Sequence, residues 1–164
     1  MRILTSQQIE QKIKRLAHQI LEHNFDAKKL IFIGINNNGH QFGKKLINKL
    51  EKITDKEIIL SRLRLNPAKP LSSEIEIDLE IKSLKNQNII MVDDVANTGR
   101  TLFYACKPLM NVLAKKIEVV VLVDRKHKSF PIKVDYVGLS LATTIQEHID
   151  VKLKSIKEQE VLLN

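Results

Sequence analysis

Ile89-Ile90-Met91-Val92-Asp93-Asp94-Val95-Ala96-Asn97-Thr98-Gly99-Arg100-Thr101-Leu102 is the stretch from which the rest of the chain can be read. Four apolar residues run into two adjacent acids, and a short polar loop then leads into an apolar-periodic segment. A bare apolar run with turn residues behind it predicts a strand buried on both faces, as in a parallel sheet. Asp93 and Asp94 therefore fall at the carboxyl end of that strand, where loops leave an open sheet and ligands bind. The loop opens a helix, and its backbone amides, two hydroxyls and glycine suit a phosphate at the helix N-terminus. Carboxylates beside a phosphate cradle imply a substrate carrying both hydroxyls and phosphate.

This pattern of apolar strand, two acids and Thr98-Gly99-Arg100-Thr101 resembles the phosphoribosyl pyrophosphate motif of the type I phosphoribosyltransferases. The resemblance implies that Asp93 and Asp94 bind the ribose 2- and 3-hydroxyls. It gives the 5-phosphate to the amides and hydroxyls of Ala96, Asn97, Thr98, Gly99, Arg100 and Thr101. Adjacent acids after an apolar strand also occur in receiver domains, but near the domain start, whereas here more than half the chain precedes them.

Working back from the motif, Leu30 to Ile35 is another short apolar run, followed by Gly34-Ile35-Asn36-Asn37-Asn38-Gly39 and then by Phe42, Leu46, Ile47 and Leu50 at helical spacing. This predicts a second strand, loop and helix, with the loop on the same sheet edge. Its glycines and asparagines permit unusual backbone angles and expose amides to an anion. In the resembled family the corresponding loop grips the pyrophosphate, which assigns that role to Asn36, Asn37, Asn38 and Gly39. Relatives carry a lysine or threonine and an arginine inside this loop, so here a fixed cation is missing. Ahead of it, Thr5 and Gln8 form a capping box for a helix with Ile9, Ile13, Leu16, Ala17, Ile20 and Leu21 on one face, ending near Asn24. His18 and His23 read as surface or half-buried residues rather than a metal pair.

Glu57 to Leu65 reads as a strand. Asn66 to Ser73 is the strongest breaker cluster, and alternation resumes at Ile75, Ile77, Leu79 and Ile81. This predicts a flexible two-stranded arm over residues 60–82, in the position of the mobile loop that closes over the reacting centre in type I enzymes. Arg62, Arg64 and Lys69 are its cations, and Arg64 matches a family arginine at the base of the arm, although Leu65 and Asn66 replace the acids that follow it there. Arg64 thereby joins Asp93 and Asp94 as a catalytic candidate.

On the other side of the motif, Leu102, Ala105, Cys106, Leu109, Met110 and Leu113 predict one helical face, kinked at Pro108. Glu118 to Val123 is a further buried strand, and Ile132, Val134, Tyr136 and Val137 a last one, closed by Gly138. The segment from Val123 through Asp124, Arg125, His127, Lys128, Pro131 and Ile132 to Asp135-Tyr136-Val137-Gly138 is similar to one in a bacterial subgroup, the pyrimidine operon attenuation regulators that double as uracil phosphoribosyltransferases. That similarity sets Asp124, Arg125 and His127 near the chemistry, with Arg125 on the pyrophosphate, and implies a base-side hood over 124–153. After Gly138 the chain departs from the relatives: Leu139 to Thr144 replaces a turn that contacts the base. His148 reads as a strand or surface residue.

The 164 residues form one domain on this reading, 43% hydrophobic and 28% charged, as expected of a soluble protein. No apolar stretch is long enough to span a membrane, and the N-terminus turns polar at once, so a cytoplasmic protein is expected. The single cysteine, Cys106, excludes an internal disulfide framework and a cysteine-based metal cluster. A formal charge of +8 attracts polyanions, either a phosphorylated substrate or RNA, and with only 4% aromatic residues a stacking platform for single strands is absent.

The expected fold is α/β: a doubly wound, mostly parallel sheet flanked by helices, with the arm and a small hood. The resemblance implies transfer of the phosphoribosyl group from phosphoribosyl pyrophosphate to a nucleobase, uracil first, with release of pyrophosphate. It also implies Mg2+, which Asp93 and Asp94 would contact weakly or indirectly, and a homodimer or higher homo-oligomer. Two alternatives stand beside it: a nucleotide-sensing, RNA-binding regulator of pyrimidine operons with weak or no catalysis, and a purine phosphoribosyltransferase.

Overall fold

The computed structural model describes residues 1–142, 147–154 and 159–164. Its main sheet has six strands in the order β4-β3-β2-β5-β6-β7, formed by Glu76–Ile77, Glu57–Arg64, Lys29–Ile35, Asn88–Ala96, Lys116–Arg125 and Tyr136–Leu141 respectively. All neighbours are parallel except β3 and β4. The chain leaves β2 toward β3 on one side and returns to β5 on the other. The strand order therefore reverses between β2 and β5, and the crevice at their carboxyl ends is where such sheets bind ligands.

Helices α1 (Ser6–His23) and α2 (Asn36–Leu50) cover one face of the sheet. Ile9, Ile13, Leu16, Ala17 and Ile20 of α1 are buried together with Phe42, Leu46 and Leu50 of α2 and with Leu30, Phe32, Ile90 and Val92 from the strands. The alternate strand residues Ile31, Ile33, Ile35, Ile89 and Met91 pack on the other face against Leu102 and Ala105 of α3 (Arg100–Ala105). Because both faces are covered, these strands read as continuous apolar runs rather than as an alternation. Thr5 caps α1 through the expected box, and Asn24 closes the helix. No helix among the described residues is long and apolar enough to cross a membrane.

A second, antiparallel sheet in the order β1-β9-β8 joins Arg2–Leu4, Glu160–Leu163 and Ile149–Lys152. The cover over the carboxyl edge thus draws on both ends of the chain, whereas residues 124–125 and 136–141, expected in the hood, belong to the main sheet. Three other elements differ from the sequence expectation. The returning strand of the arm is only Glu76–Ile77, its start delayed by the Pro70 to Ser73 breaker segment, and Ile81 starts a short 3-10 helix to Leu84. The helix after the phosphate loop stops at Ala105 and a 3-10 turn begins at Pro108, whose ring cannot continue the α ladder, leaving Met110 and Leu113 at 72% and 79% exposed. The last main strand starts at Tyr136, not Ile132, and runs past Gly138, whose missing side chain lets the Leu122 carbonyl pass close. Thr143 and Thr144, part of the turn expected to contact the base, lie outside the described residues.

A buried polar network at the amino edge of the sheet carries one consequence for stability. Tyr136 donates its hydroxyl to Glu118 Oε2 at 2.8 Å, Asn24 Nδ2 donates to Glu118 Oε1 at 2.9 Å, and Asn88 Nδ2 donates to Asn24 Oδ1 at 2.8 Å. Burial first, and then the Glu118 carboxylate, pushes the Tyr136 phenol up, so it remains a donor throughout the usual pH range. Tyr136→Phe leaves a buried carboxylate oxygen without its donor and is expected to cost ~1–3 kcal/mol, read as a lower urea midpoint at unchanged m-value.

Candidate active site

Strand β5 runs through the two acids to Ala96, so Asp93 and Asp94 are strand residues pointing by alternation to different faces. Asp93 shares the face of Ile89 and Met91. It is 8% exposed and lines a small cavity of about 50 Å³ together with Val95 and residues 96–102. Asp94 shares the face of Ile90 and Val92, is half-buried, and accepts a hydrogen bond at 3.0 Å from Asn38 Nδ2 at the start of α2. The sequence placed the acids side by side on one sugar. The structure sets Asp93 beside the loop of β5 and Asp94 beside the start of α2, with the two carboxyls still close enough to interact.

The Asp93 carboxyl accepts the Asp94 backbone amide at 2.9 Å. Burial is the main cause that pushes it well above the usual carboxylate range, and the negative charge of Asp94 adds to it. The folded chain therefore keeps this proton at a pH where the unfolded chain has released it, so stability falls as pH rises from the unfolded to the folded pKa. Asp93→Asn removes that penalty. It is expected to raise the melting temperature at about pH 8 and to change it little at about pH 2, below both the unfolded and the raised folded pKa.

The loop after β5 has the form of an anion cradle. Gly99 sits at φ +85°, and an added Cβ would lie 2.5 Å from Ile132 Cγ2, so the position requires glycine twice over. The Arg100 amide approaches Thr98 Oγ1 at 3.4 Å, and the Thr98 carbonyl accepts from the Ser129 and Phe130 amides at 2.9 and 3.2 Å. The segment after β6 thus buttresses the cradle. Asp124 pairs in register with Ala96, Arg125 Nη1 reaches Asn97 Oδ1 at 3.5 Å, and Lys128 Nζ holds Asp124 Oδ1 at 2.6 Å. His127 is exposed beside them.

The expected pyrophosphate loop is shorter than its sequence suggests, because β2 runs directly into α2 at Asn36, whose φ of +52° makes the turn. Each asparagine is tied to a different neighbour. Asn36 Oδ1 accepts the Leu65 amide at 3.1 Å, Asn37 Oδ1 accepts from Arg62 Nη1 at 3.3 Å, and Asn38 donates to Asp94. Gly39 lies against β5, where a methyl group would overlap the Val92 carbonyl oxygen. Arg64 is turned outward onto Asp78, which it meets with both terminal nitrogens at the base of the arm.

Some participants were not legible as such. Asp78 becomes visible as the partner of Arg64 only once β3 and β4 pair, and Arg62 reaches the loop only because β3 lies beside β2. Arg100 was read as part of the phosphate loop, but its guanidinium points away from the cradle and donates to the Pro67 and Ala68 carbonyls of the arm. A cavity of about 1040 Å³ lies between Asn38, the first turn of α1 and the small sheet, with Arg2, Lys152 and Lys154 at its wall.

Residues 1–156 match a family model described as the phosphoribosyl transferase domain. Curated relatives called bifunctional protein PyrR include one from Actinobacillus pleuropneumoniae, 31% identical over 92% of this chain and 88% of its own. Another, from Deinococcus radiodurans, is 31% identical over 98% and 91%. Among solved structures, the hypoxanthine phosphoribosyltransferase of Trypanosoma cruzi covers 99% of this chain and 94% of its own, with a TM-score of 0.77 and 18% identity. A hypoxanthine-guanine phosphoribosyltransferase from Bacillus anthracis covers 85% and 81%, with a TM-score of 0.72 and 20% identity. These two likenesses concern the fold.

Proposed function

The chain belongs to the phosphoribosyl transferase family, as a phosphoribosyltransferase of the type I fold, and on that premise we propose that it transfers the phosphoribosyl group of phosphoribosyl pyrophosphate to uracil and releases pyrophosphate. The observation that carries this reading is the meeting of three groups at one switch point: the anion cradle after β5, the amide-rich start of α2 after β2, and the acids between them. The cradle formed by Ala96 to Thr101 takes the 5-phosphate. Asp93 and Asp94 flank the ribose, and the amides of Asn36 to Gly39 face the pyrophosphate with Arg125 across the crevice. Arg64 exchanges Asp78 for substrate when the arm closes. The large cavity under the small sheet takes the base. The similarity of residues 123–138 to the pyrimidine-using subgroup favours uracil there.

In the reaction a base nitrogen bonds to C1 of the ribose as the bond from C1 to the pyrophosphate oxygen breaks. Positive charge gathers on the sugar in the transition state and negative charge on the leaving group, so catalysis is chiefly positioning and charge stabilisation. Asp94, half-buried and oriented by Asn38, is the fixed negative charge nearest the solvent side of the sugar site. The half-buried Asp94 side chain, with Asp93 behind it, offers the oxygen donors that magnesium, a hard cation, prefers. When bound, the ion supplies charge neutralisation at the pyrophosphate. The protein acts in the cytoplasm as a homo-oligomer on this reading.

A nucleotide-sensing RNA-binding regulator with weak or no catalysis is the second reading, favoured by the net charge of +8 and a pyrophosphate loop without a cation. Pyrophosphate release measured with magnesium, phosphoribosyl pyrophosphate and each of uracil, hypoxanthine, guanine, adenine and xanthine separates the readings. Release with uracil supports the proposal, and release with a purine alone replaces the base. No release with any of them, together with RNA binding that weakens steeply with salt, favours the regulator.

A further inference from the structure

Arg100 touches two parts of the molecule that the reaction must coordinate. Its backbone amide belongs to the anion cradle, immediately after Gly99. Its side chain crosses to the arm, where one terminal nitrogen donates to both the Pro67 and the Ala68 carbonyls. These carbonyls lie in the breaker cluster, where the arm has no ladder of its own to satisfy them: β3 ends at Arg64 and β4 begins at Glu76. The arm continues over α3, with Lys69, Pro70, Leu71 and Ser72 bounding a cavity of about 370 Å³ whose floor is Arg100 and Tyr104. Tyr104 is in turn packed edge-on against Phe103 and Phe130, so the floor is a fixed aromatic platform.

We propose that the Arg100 side chain is a positioning residue that docks the arm on α3 at the side of the cradle, from where it closes over the reacting centre, and that only its backbone amide serves the phosphate. This inference rests on the reading of the cradle and acids as a phosphoribosyl pyrophosphate site. The charged donor is matched to two carbonyls rather than to an anion, and a guanidinium hydrogen bond of this kind is stronger than a neutral one. Since the same residue begins α3, a phosphate that orders the cradle also fixes the base of the side chain that holds the arm. The arm then excludes water from the activated sugar. Without it, a water oxygen bonds to C1 as the bond to pyrophosphate breaks, giving ribose 5-phosphate, pyrophosphate and a proton in place of the nucleotide.

The chain has no tryptophan, so Leu71→Trp, at a position 62% exposed, gives a single reporter on the arm beside Tyr104. In that background, magnesium and phosphoribosyl pyrophosphate are expected to shift the tryptophan emission. Arg100→Ala should abolish the shift, lower kcat/KM for phosphoribosyl pyrophosphate about tenfold and raise the share lost to hydrolysis. Its affinity for ribose 5-phosphate should stay within about twofold, because the cradle amides remain. Arg100→Lys, which still offers a charged donor to both carbonyls, should recover the shift. A loss of ribose 5-phosphate affinity in Arg100→Ala as large as the loss for phosphoribosyl pyrophosphate would make the side chain a phosphate ligand and overturn the proposal. So would an unchanged emission shift and hydrolytic share. If the Leu71→Trp parent binds neither compound while folding normally, the site reading itself falls, and this inference with it.

Discussion

Asp94→Asn is expected to lower kcat by about 10²-fold or more, the scale of losing one electrostatic stabiliser of a transition state. The argument starts from what the substitution leaves intact. Asn is isosteric, its side-chain oxygen still accepts from Asn38 Nδ2, and the position is only half-buried, so the fold should melt within a few degrees of the parent. What disappears, on the proposed mechanism, is a negative charge beside a sugar that becomes cationic as pyrophosphate leaves. Asp93→Asn should also reduce turnover, but with a gain in stability at neutral pH, because burial is the main cause that raises the Asp93 carboxyl and that cause goes with the side chain's charge. Steady-state kinetics and thermal melts on both variants check the pair. Turnover in Asp94→Asn within about threefold of the parent would remove this carboxylate from the mechanism.

Gly39→Ala should be the more disruptive change although it is chemically slight. Helix propensity alone predicts a gain of about 1 kcal/mol for alanine over glycine in the first turn of α2. The geometry opposes it, since the added methyl overlaps the Val92 carbonyl oxygen and lies 3.3 Å from Asp93 Cα. Backbone on a central strand cannot yield as a flexible side chain would, so α2 must lift from β5 at a cost of ~1–3 kcal/mol. Lifting α2 carries Asn38 away from Asp94, and the expected result is a net loss of stability together with most of the turnover. A stabilised and fully active Gly39→Ala would show that α2 and β5 are not held at this distance.

The parts of the molecule legible in the sequence are those set by periodicity and local turn chemistry. The apolar runs Leu30–Ile35 and Ile89–Val92 and the box at Thr5 and Gln8 each specify their element within a few residues, and the parallel sheet follows from them. The hood strands were not legible. Arg2–Leu4 is three residues long, and its partner Glu160–Leu163 lies at the far end of the chain, so no local window contains the pattern that makes either a strand. For the site, residue types put the acids and the loop after them at the carboxyl end of β5, where the structure has them, but side-chain direction was out of reach. Whether Asn38 bonds Asp94, or Arg100 the arm, depends on strands that meet only in three dimensions. The alternation that splits Asp93 from Asp94 was present in the sequence, and was obscured by ending the strand at Val92.

The pairing of Arg2 with Leu162 also bears on the order in which the molecule assembles. The switch-point crevice needs only neighbours in sequence or short crossovers, whereas the small sheet requires closing nearly the whole chain into one loop. Loop entropy makes such contacts late arrivals in folding, after the parallel sheet has collapsed around its helices. Their apolar residues Leu4, Ile149, Val151 and Val161 then complete the core that α1 and α2 share with the main sheet. The crevice loops are thus set on a frame built early, and the sheet that covers them closes last, joining residues from opposite ends of the sequence.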